Sequence, residues 1–245
     1  VRLTGPFFEI GPKNFLRRVQ LEALVRAAGL AAVDFGVTVV VTVPTALVAP
    51  IADLRAGVLV FAQGVAADLP GPSVGVVTVE SLVDAGADGV MLNHDSNPLD
   101  DETLTRTVAR SHGGGLATIV CASSAADSLR FAALGPSAVL FEPPALIGTA
   151  SDGPRDWIQS ANREVRQQYP DVLMMHAGGV GTPAIARSIM AAGADGTGST
   201  SGVLTAPDPR AAARLFIAAA RAGWDDHRTD SANSSTNHHQ EGEPS

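Results

Sequence analysis

Ala85-Gly86-Ala87-Asp88-Gly89 recurs as Ala192-Gly193-Ala194-Asp195-Gly196. Each copy follows a helical pattern and precedes a short apolar run. Gly86 and Gly193 fall where a helix ends, at the position that favours left-handed backbone. The repeat therefore reads as one helix-to-strand turn used twice, and it sets the phase of the chain on both sides.

Working outward, short apolar, β-branched runs lie at Phe7–Ile10, Val37–Thr42, Val58–Ala62, Gly89–Asn93, Ala117–Cys121, Ala138–Phe141, Val172–Met175 and, more weakly, Gly196–Ser199. Helical patterns alternate with them near 15–29, 45–55, 78–86, 100–112, 124–134, 153–168, 183–193 and 208–222. Continuous apolar strands are expected where a parallel sheet is buried on both faces. Their alternation with helices predicts βαβ units. Eight such units fit an α/β fold with a single-domain (β/α)8 barrel over residues 1–224. A doubly wound open sheet is the alternative, but no G-x-G-x-x-G follows the first strand, so a dinucleotide site is not supported. Residues 225–245 are polar, with almost nothing apolar, and are expected to be a disordered tail. The His238-His239 pair reads as part of that solvated tail rather than as a metal site.

Composition narrows the function. The chain has 245 residues, long enough to bury a full core without staples, and one Cys, which cannot close an internal disulfide. A disulfide-built secreted scaffold is excluded, and a reducing, cytoplasmic setting is expected. The formal charge of −8 argues against a broad nucleic-acid surface but not against a small local anion site. The longest apolar stretch, Val37 to Val48, is interrupted by Thr38, Thr42, Pro44 and Thr45 and is too short to span a bilayer. The first residues have no continuous apolar core of signal-peptide length. Neither nucleic acid nor membrane is an expected partner.

A barrel carries its chemistry on the loops that follow its strands. Those positions hold Lys13, Gln63, His94, Cys121, Glu142, the Gly178-Gly179-Val180-Gly181 turn and Ser201-Gly202. Lys13 is the only lysine; every other basic residue except the histidines is arginine. It supplies a compact, mobile charge just after the first strand. His94 can donate a proton or a hydrogen bond near neutral pH. Glu142 stands between Phe141 and Pro143-Pro144, which predicts partial desolvation and a stronger base. The following Ala145-Leu146-Ile147-Gly148-Thr149-Ala150 has the composition of a lid. Glycines 178, 179 and 181 allow backbone N–H groups to approach an anion at a helix start, with Thr182 as cap and Pro183 at the first helical position. Together with Ser199 to Gly202 they form two adjacent turns suited to a phosphate group.

With these residues in view, the chain resembles the triosephosphate isomerase family in its short archaeal-type form, from about Phe7 to Trp224. The stretches that carry the likeness are Val60-Phe61-Ala62-Gln63, Ala85 through His94, Thr118-Ile119-Val120-Cys121 and, most specifically, Phe141-Glu142-Pro143-Pro144-Ala145-Leu146-Ile147-Gly148-Thr149. The resemblance implies that Glu142 moves a proton between adjacent carbons of a small phosphorylated hydroxy-carbonyl substrate. It implies that His94 polarises the carbonyl as a neutral imidazole and that Lys13 stabilises the enediolate, an assignment taken over from that family rather than read from spacing. Phosphate contacts are implied at Gly148, Gly178, Gly179, Gly181, Ser201 and Gly202, with no cofactor and no metal. Lid closure would exclude water. A homodimer or homotetramer is implied, and the Pro/Gly-rich stretch between Gln63 and Thr78 is a candidate contact.

The chain also departs from the family pattern. The family's Asn-x-Lys is here Gly11-Pro12-Lys13, and its His-Ser-Glu is His94-Asp95-Ser96. Lys13 thereby loses the glutamate that holds it in the family, and Asp95 or Glu9 are the carboxylates available instead. Glu9, Gly11, Gln63, Asp95 and Ser96 are therefore secondary candidates. Two other functions remain open: a different reaction on a phosphorylated compound (epimerisation, elimination or a lyase step, with a Schiff base on Lys13 as one version), and a non-catalytic binder of phosphate ligands.

Overall fold

The computed structural model describes residues 2–146 and 155–237. Eight parallel strands close into a barrel in sequence order: β1 Phe7–Ile10, β2 Thr38–Val43, β3 Leu59–Ala62, β4 Gly89–Leu92, β5 Ala117–Ala122, β6 Ala138–Phe141, β7 Leu173–His176 and β8 Gly196–Ser199. The helices among the described residues are α1 Arg18–Phe35, α2 Val48–Ala52, α3 Val79–Asp84, α4 Asp101–Gly113, α5 Ala125–Ala132, α6 Trp157–Gln168, α7 Pro183–Ala191, α8 Ser201–Leu204 and α9 Pro209–Asn237. Four of them start on a side-chain cap: Thr78, Asp100, Ser124 and Thr182 each accept a hydrogen bond from a backbone N–H one turn on. These caps satisfy donors that the helix itself leaves free.

The repeated pentapeptide does the same work at two sites across the barrel. Gly86 and Gly193 end α3 and α7 with φ of 82° and 95°. The Asp88 backbone N–H donates to the Val60 carbonyl, and its carboxylate accepts from the Val60 N–H at 2.8 Å. Asp195 repeats this with Met174, again at 2.8 Å. The carbonyls of Asp88 and Asp195 then accept from Ala117 and Phe7 on the following strand. Each aspartate thus ties three consecutive strands together where they begin. The last residue of each copy makes room for a ring: a Cβ on Gly89 would lie 2.4 Å from Phe61, and one on Gly196 2.4 Å from Phe7.

The register fixes which side chains fill the barrel. Phe7 pairs with Gly196 and Glu9 with Gly198. Phe7 and Glu9 point inward, while Phe8 faces outward to Phe216 of α9, with ring centroids 6.0 Å apart. The other buried strand residues are mostly apolar, with Thr42, Thr118, His176, Thr197 and Ser199 as the polar ones.

Three features differ from the sequence expectation. The pattern at 45–55 is one 3-10 turn at Thr45–Leu47 and the short α2, which contains Pro50. The four-residue α8, not anticipated, follows β8. The third difference is at the C-terminus, where helix continues through Asn237 although disorder was expected from 225. Its polar residues have partners: Asp226 pairs with Arg187 at 2.7 Å, Asp225 with Arg221 at 2.8 Å, and His227 Nδ1 bonds the Ala191 carbonyl at 3.2 Å. Composition alone does not show that Asp226 and His227 face α7. The His238-His239 pair lies outside the described residues.

Candidate active site

The loops at the C-terminal ends of the strands enclose a cavity of about 730 Å³ among the described residues. Lys13 enters it from the β1 loop, His94 from the β4 loop and Glu142 from the end of β6. Each position is set by local chemistry.

Lys13 has φ of 45°, a left-handed conformation that a non-glycine residue seldom adopts. Gln63 holds it there. The Gln63 amide Nε2 donates to the Lys13 carbonyl at 2.9 Å and to the Thr42 carbonyl at 3.2 Å, bracing the β1, β2 and β3 ends together. Strain of this kind persists only where the surroundings impose it. Among the described residues Lys13 makes no ion pair, with Glu9, Asp95 or any other carboxylate. Its charge nevertheless acts on Glu9, His94 and Glu142.

His94 is locked by its own turn. Asn93, at φ 58°, donates its side-chain amide to the Cys121 carbonyl at 3.0 Å and accepts from the Leu99 N–H at 3.0 Å. The Ser96 backbone N–H donates to His94 Nδ1 at 3.1 Å. A nitrogen that accepts from a backbone N–H carries no proton, so the neutral ring holds its proton on Nε2. Burial, and then the Lys13 charge, lower the His94 pKa, while Asp95 raises it. The neutral ring with an Nε2–H donor is the favoured form.

Burial raises the Glu142 pKa above the ordinary carboxylate range; Lys13 opposes this and Asp95 adds to it. The side chain lies over the β7 loop. A Cβ on Gly178 would sit 3.3 Å from Glu142 Cγ and 2.9 Å from Leu146 Cβ, and Gly178 has φ of 90°. Glycine at 178 is therefore required by both space and backbone. Arg155 Nη2 donates to the Gly178 carbonyl at 2.8 Å, fixing the same loop from the other side.

The expected anion turn is only partly built as read. Gly178, Gly179 and Ser201 line the cavity. The Gly181 N–H donates to the Gly179 carbonyl at 2.9 Å and is committed within the turn. Gly202 does not line the cavity; a Cβ there would meet Phe216 and the Val180 carbonyl at 2.7 Å, so its glycine serves packing. Ser199 Oγ donates to the Val180 carbonyl at 2.7 Å and joins the two turns. Gly148 and the lid stretch from Ile147 to Ala150 lie outside the described residues. Among the secondary candidates, Glu9, Gly11, Gln63 and Ser96 line the cavity, while Asp95 is exposed beside it. Cys121 is buried on β5, with burial pushing its thiol pKa up, and is no nucleophile. Thr200, within the expected turn after β8, lines the cavity, and Thr42, Asn14 and Asn97 line it without having been anticipated. Of these three, Thr42 ended a predicted strand and had a positional signal.

The sequence profile of the triosephosphate isomerase family matches residues 13–218. The chain belongs to the triosephosphate isomerase family. Named triosephosphate isomerases from Methanopyrus kandleri, Pyrobaculum calidifontis and Sulfolobus acidocaldarius are 37%, 34% and 30% identical to it. The matches cover 63%, 76% and 75% of this chain and 70%, 82% and 80% of those proteins. A solved triosephosphate isomerase from Bartonella henselae superposes with a TM-score of 0.67 at 18% identity, over 86% of this chain and 98% of that one, which shows the shared fold. The chain is thus an isomerase of the archaeal-type branch, built as a TIM barrel. No helix among the described residues is long and apolar enough to cross a membrane.

Proposed function

We propose that the chain interconverts an aldose and a ketose phosphate, glyceraldehyde 3-phosphate and dihydroxyacetone phosphate or a related phosphorylated ketose, without a cofactor. The observation that carries this is the convergence on one cavity of a desolvated carboxylate, a neutral imidazole with its proton on Nε2 and an ammonium that makes no ion pair among the described residues. Glu142 takes the proton from the carbon beside the carbonyl and returns it to the neighbouring carbon. His94 Nε2–H donates to the substrate oxygen on which charge develops. Lys13 stabilises the enediolate by its charge, undiluted by a carboxylate partner. Backbone N–H groups of the Gly178-Gly179 turn and the Ser201 region hold the phosphate.

The test is an assay of glyceraldehyde 3-phosphate isomerisation coupled to reduction of dihydroxyacetone phosphate, beside a Glu142→Ala control. Activity abolished in the control supports the proposal. Activity no higher than the control would move the substrate to another ketose phosphate, read by solvent-deuterium exchange across a panel. Borohydride trapping of a Lys13 adduct would instead support a lyase. Self-association is part of the proposal: Leu69 and Val74 on the 64–77 loop are exposed at 68% and 96%, more than apolar residues of that size favour in an isolated subunit. Sedimentation showing only monomer would reject it.

A further inference from the structure

Glu9 is a carboxyl group inside the barrel. Its strand neighbours in register are Val40 and Gly198, and it shares the inward face of β1 with Phe7. It is 6% exposed, and among the described residues its Oε1 makes no well-formed hydrogen bond; the Thr42 hydroxyl is near enough to favour its charge but does not complete one. Buried polar atoms are nearly always satisfied, so a carboxyl at a cavity wall with only a loose Thr42 contact has hydrogen-bonding capacity left for a ligand. Two glycines make room for the carboxyl. A Cβ on Gly11 would lie 3.1 Å and 3.3 Å from its two oxygens, and a Cβ on Gly198 would lie 2.9 Å from Oε2. The carboxyl therefore occupies the space that a side chain at position 11 would fill, and it borders the cavity shared by Lys13, His94 and Glu142.

We propose that Glu9 binds substrate: its carboxyl hydrogen-bonds an oxygen on the carbon end of a phosphorylated hydroxy-carbonyl compound, at the floor of the cavity, and so supplies the polar group that Gly11 cannot. This rests on the isomerase reading of the site. The depth assigns the carbon end. Glu9 pairs with Gly198, one turn of chain before Ser201, so it lies below the phosphate-binding turns.

The charge state agrees. Burial raises the Glu9 pKa from 4.5 to about 7; the Thr42 hydroxyl opposes the rise, Glu142 adds to it and Lys13 again opposes it. The groups facing it are Glu142 after β6, Lys13 after β1 and the Cys121 thiol on β5, which burial keeps protonated. Below about pH 7 Glu9 is a neutral acid and donates its O–H. Above that it is a second anion beside Glu142, facing an anionic substrate.

The experiment is calorimetry of 2-phosphoglycolate and of inorganic phosphate with wild type, Glu9→Gln and Glu9→Ala across about pH 6 to 8.5. Inorganic phosphate is expected to bind all three alike. Glu9→Ala is expected to weaken phosphoglycolate roughly tenfold or more at the acid end. Glu9→Gln keeps a donor of the same shape, so it stays close to wild type there. It then gains on wild type by up to about tenfold per pH unit above pH 7, because only wild type ionises at this position. Equal phosphoglycolate affinity in all three, with parallel pH profiles, overturns the role of Glu9 and leaves the isomerase reading intact. Wild type that binds phosphoglycolate no tighter than phosphate overturns both. If circular dichroism shows that Glu9→Ala does not fold, the comparison of wild type with Glu9→Gln decides alone.

Discussion

The two ends of the barrel treat polar groups in opposite ways. At the end where strands begin, Asp88 and Asp195 use backbone N–H, backbone carbonyl and carboxylate to join three strands each, and Arg166 also pairs with Asp195 at 2.8 Å. At the end where strands finish, Lys13 is strained and makes no ion pair among the described residues, Glu9 Oε1 makes no well-formed hydrogen bond there, and burial raises the pKa of both Glu9 and Glu142. The two aspartates of one end spend their hydrogen bonds within the fold. At the other end, among the described residues, an ammonium without an ion pair and a carboxyl without a well-formed hydrogen bond border the cavity. Stability and reactivity are therefore separated along the barrel axis, and substitutions at the two ends should change different measurements.

The largest effect should come from Glu142→Ala. Loss of a general base removes about 10²–10⁴ in rate. Turnover of glyceraldehyde 3-phosphate should fall by that factor while the melting temperature holds or rises, since a desolvated carboxylate is gone. A melting point several degrees lower would break the separation. Lys13→Met comes next, with an expected loss of about 10²–10³ in kcat, because a charge aimed at the developing oxyanion is removed. Steady-state kinetics that show a raised KM with unchanged kcat would assign Lys13 to ground-state binding only.

Glu9 gives a stability effect at the reactive end, with a sign that depends on pH. Its pKa is raised in the folded state, so the folded protein binds the extra proton. The unfolded chain ionises from about 4.5 upward, and wild-type stability declines from there to about pH 7, then levels off. Glu9→Gln does not pay this penalty. It should match wild type at about pH 4.5 and exceed it at about pH 8 by up to roughly 3 kcal/mol. Denaturant melts at the two pH values check this, and equal differences at both would remove the buried ionisation from the account.

At the other end, Asp195→Ala should cost about 1–3 kcal/mol, because the Met174 N–H is left buried without its acceptor. A protein of this size loses about 2–4 °C per kcal/mol. Asp88 is half-buried and has no arginine partner among the described residues, so Asp88→Ala should cost less. Activity per folded molecule should be unchanged in both. Thermal melts beside the coupled assay sharpen the comparison, and a loss of kcat in either variant would show that the two ends are coupled.

Much of this was legible in the chain itself. Buried parallel strands are mostly apolar runs, so β1 and β6 fall at Phe7–Ile10 and Ala138–Phe141 as read, while β8, Gly196–Ser199, was placed by its position after the second repeated turn. The repeated turn marked where strands start, and reading forward from each strand led to Lys13, His94 and Glu142, because strand-end position is a local property. The pairing of Asp226 with Arg187 of α7 was not legible, since composition carries no partner from another helix.

The sequence by itself determined the periodicity, the eight units and the residue types at the strand ends, since each depends on neighbours within a few positions. Tertiary structure alone decided that Gly202 packs on Phe216 and that Gln63 braces the strained Lys13. It also decided that Glu9 lies between Gly11 of its own loop and Gly198 of β8. The physical reason is closure. β1 and β8 are far apart in the chain and become neighbours only when the last strand meets the first, and the space between their side chains exists only then.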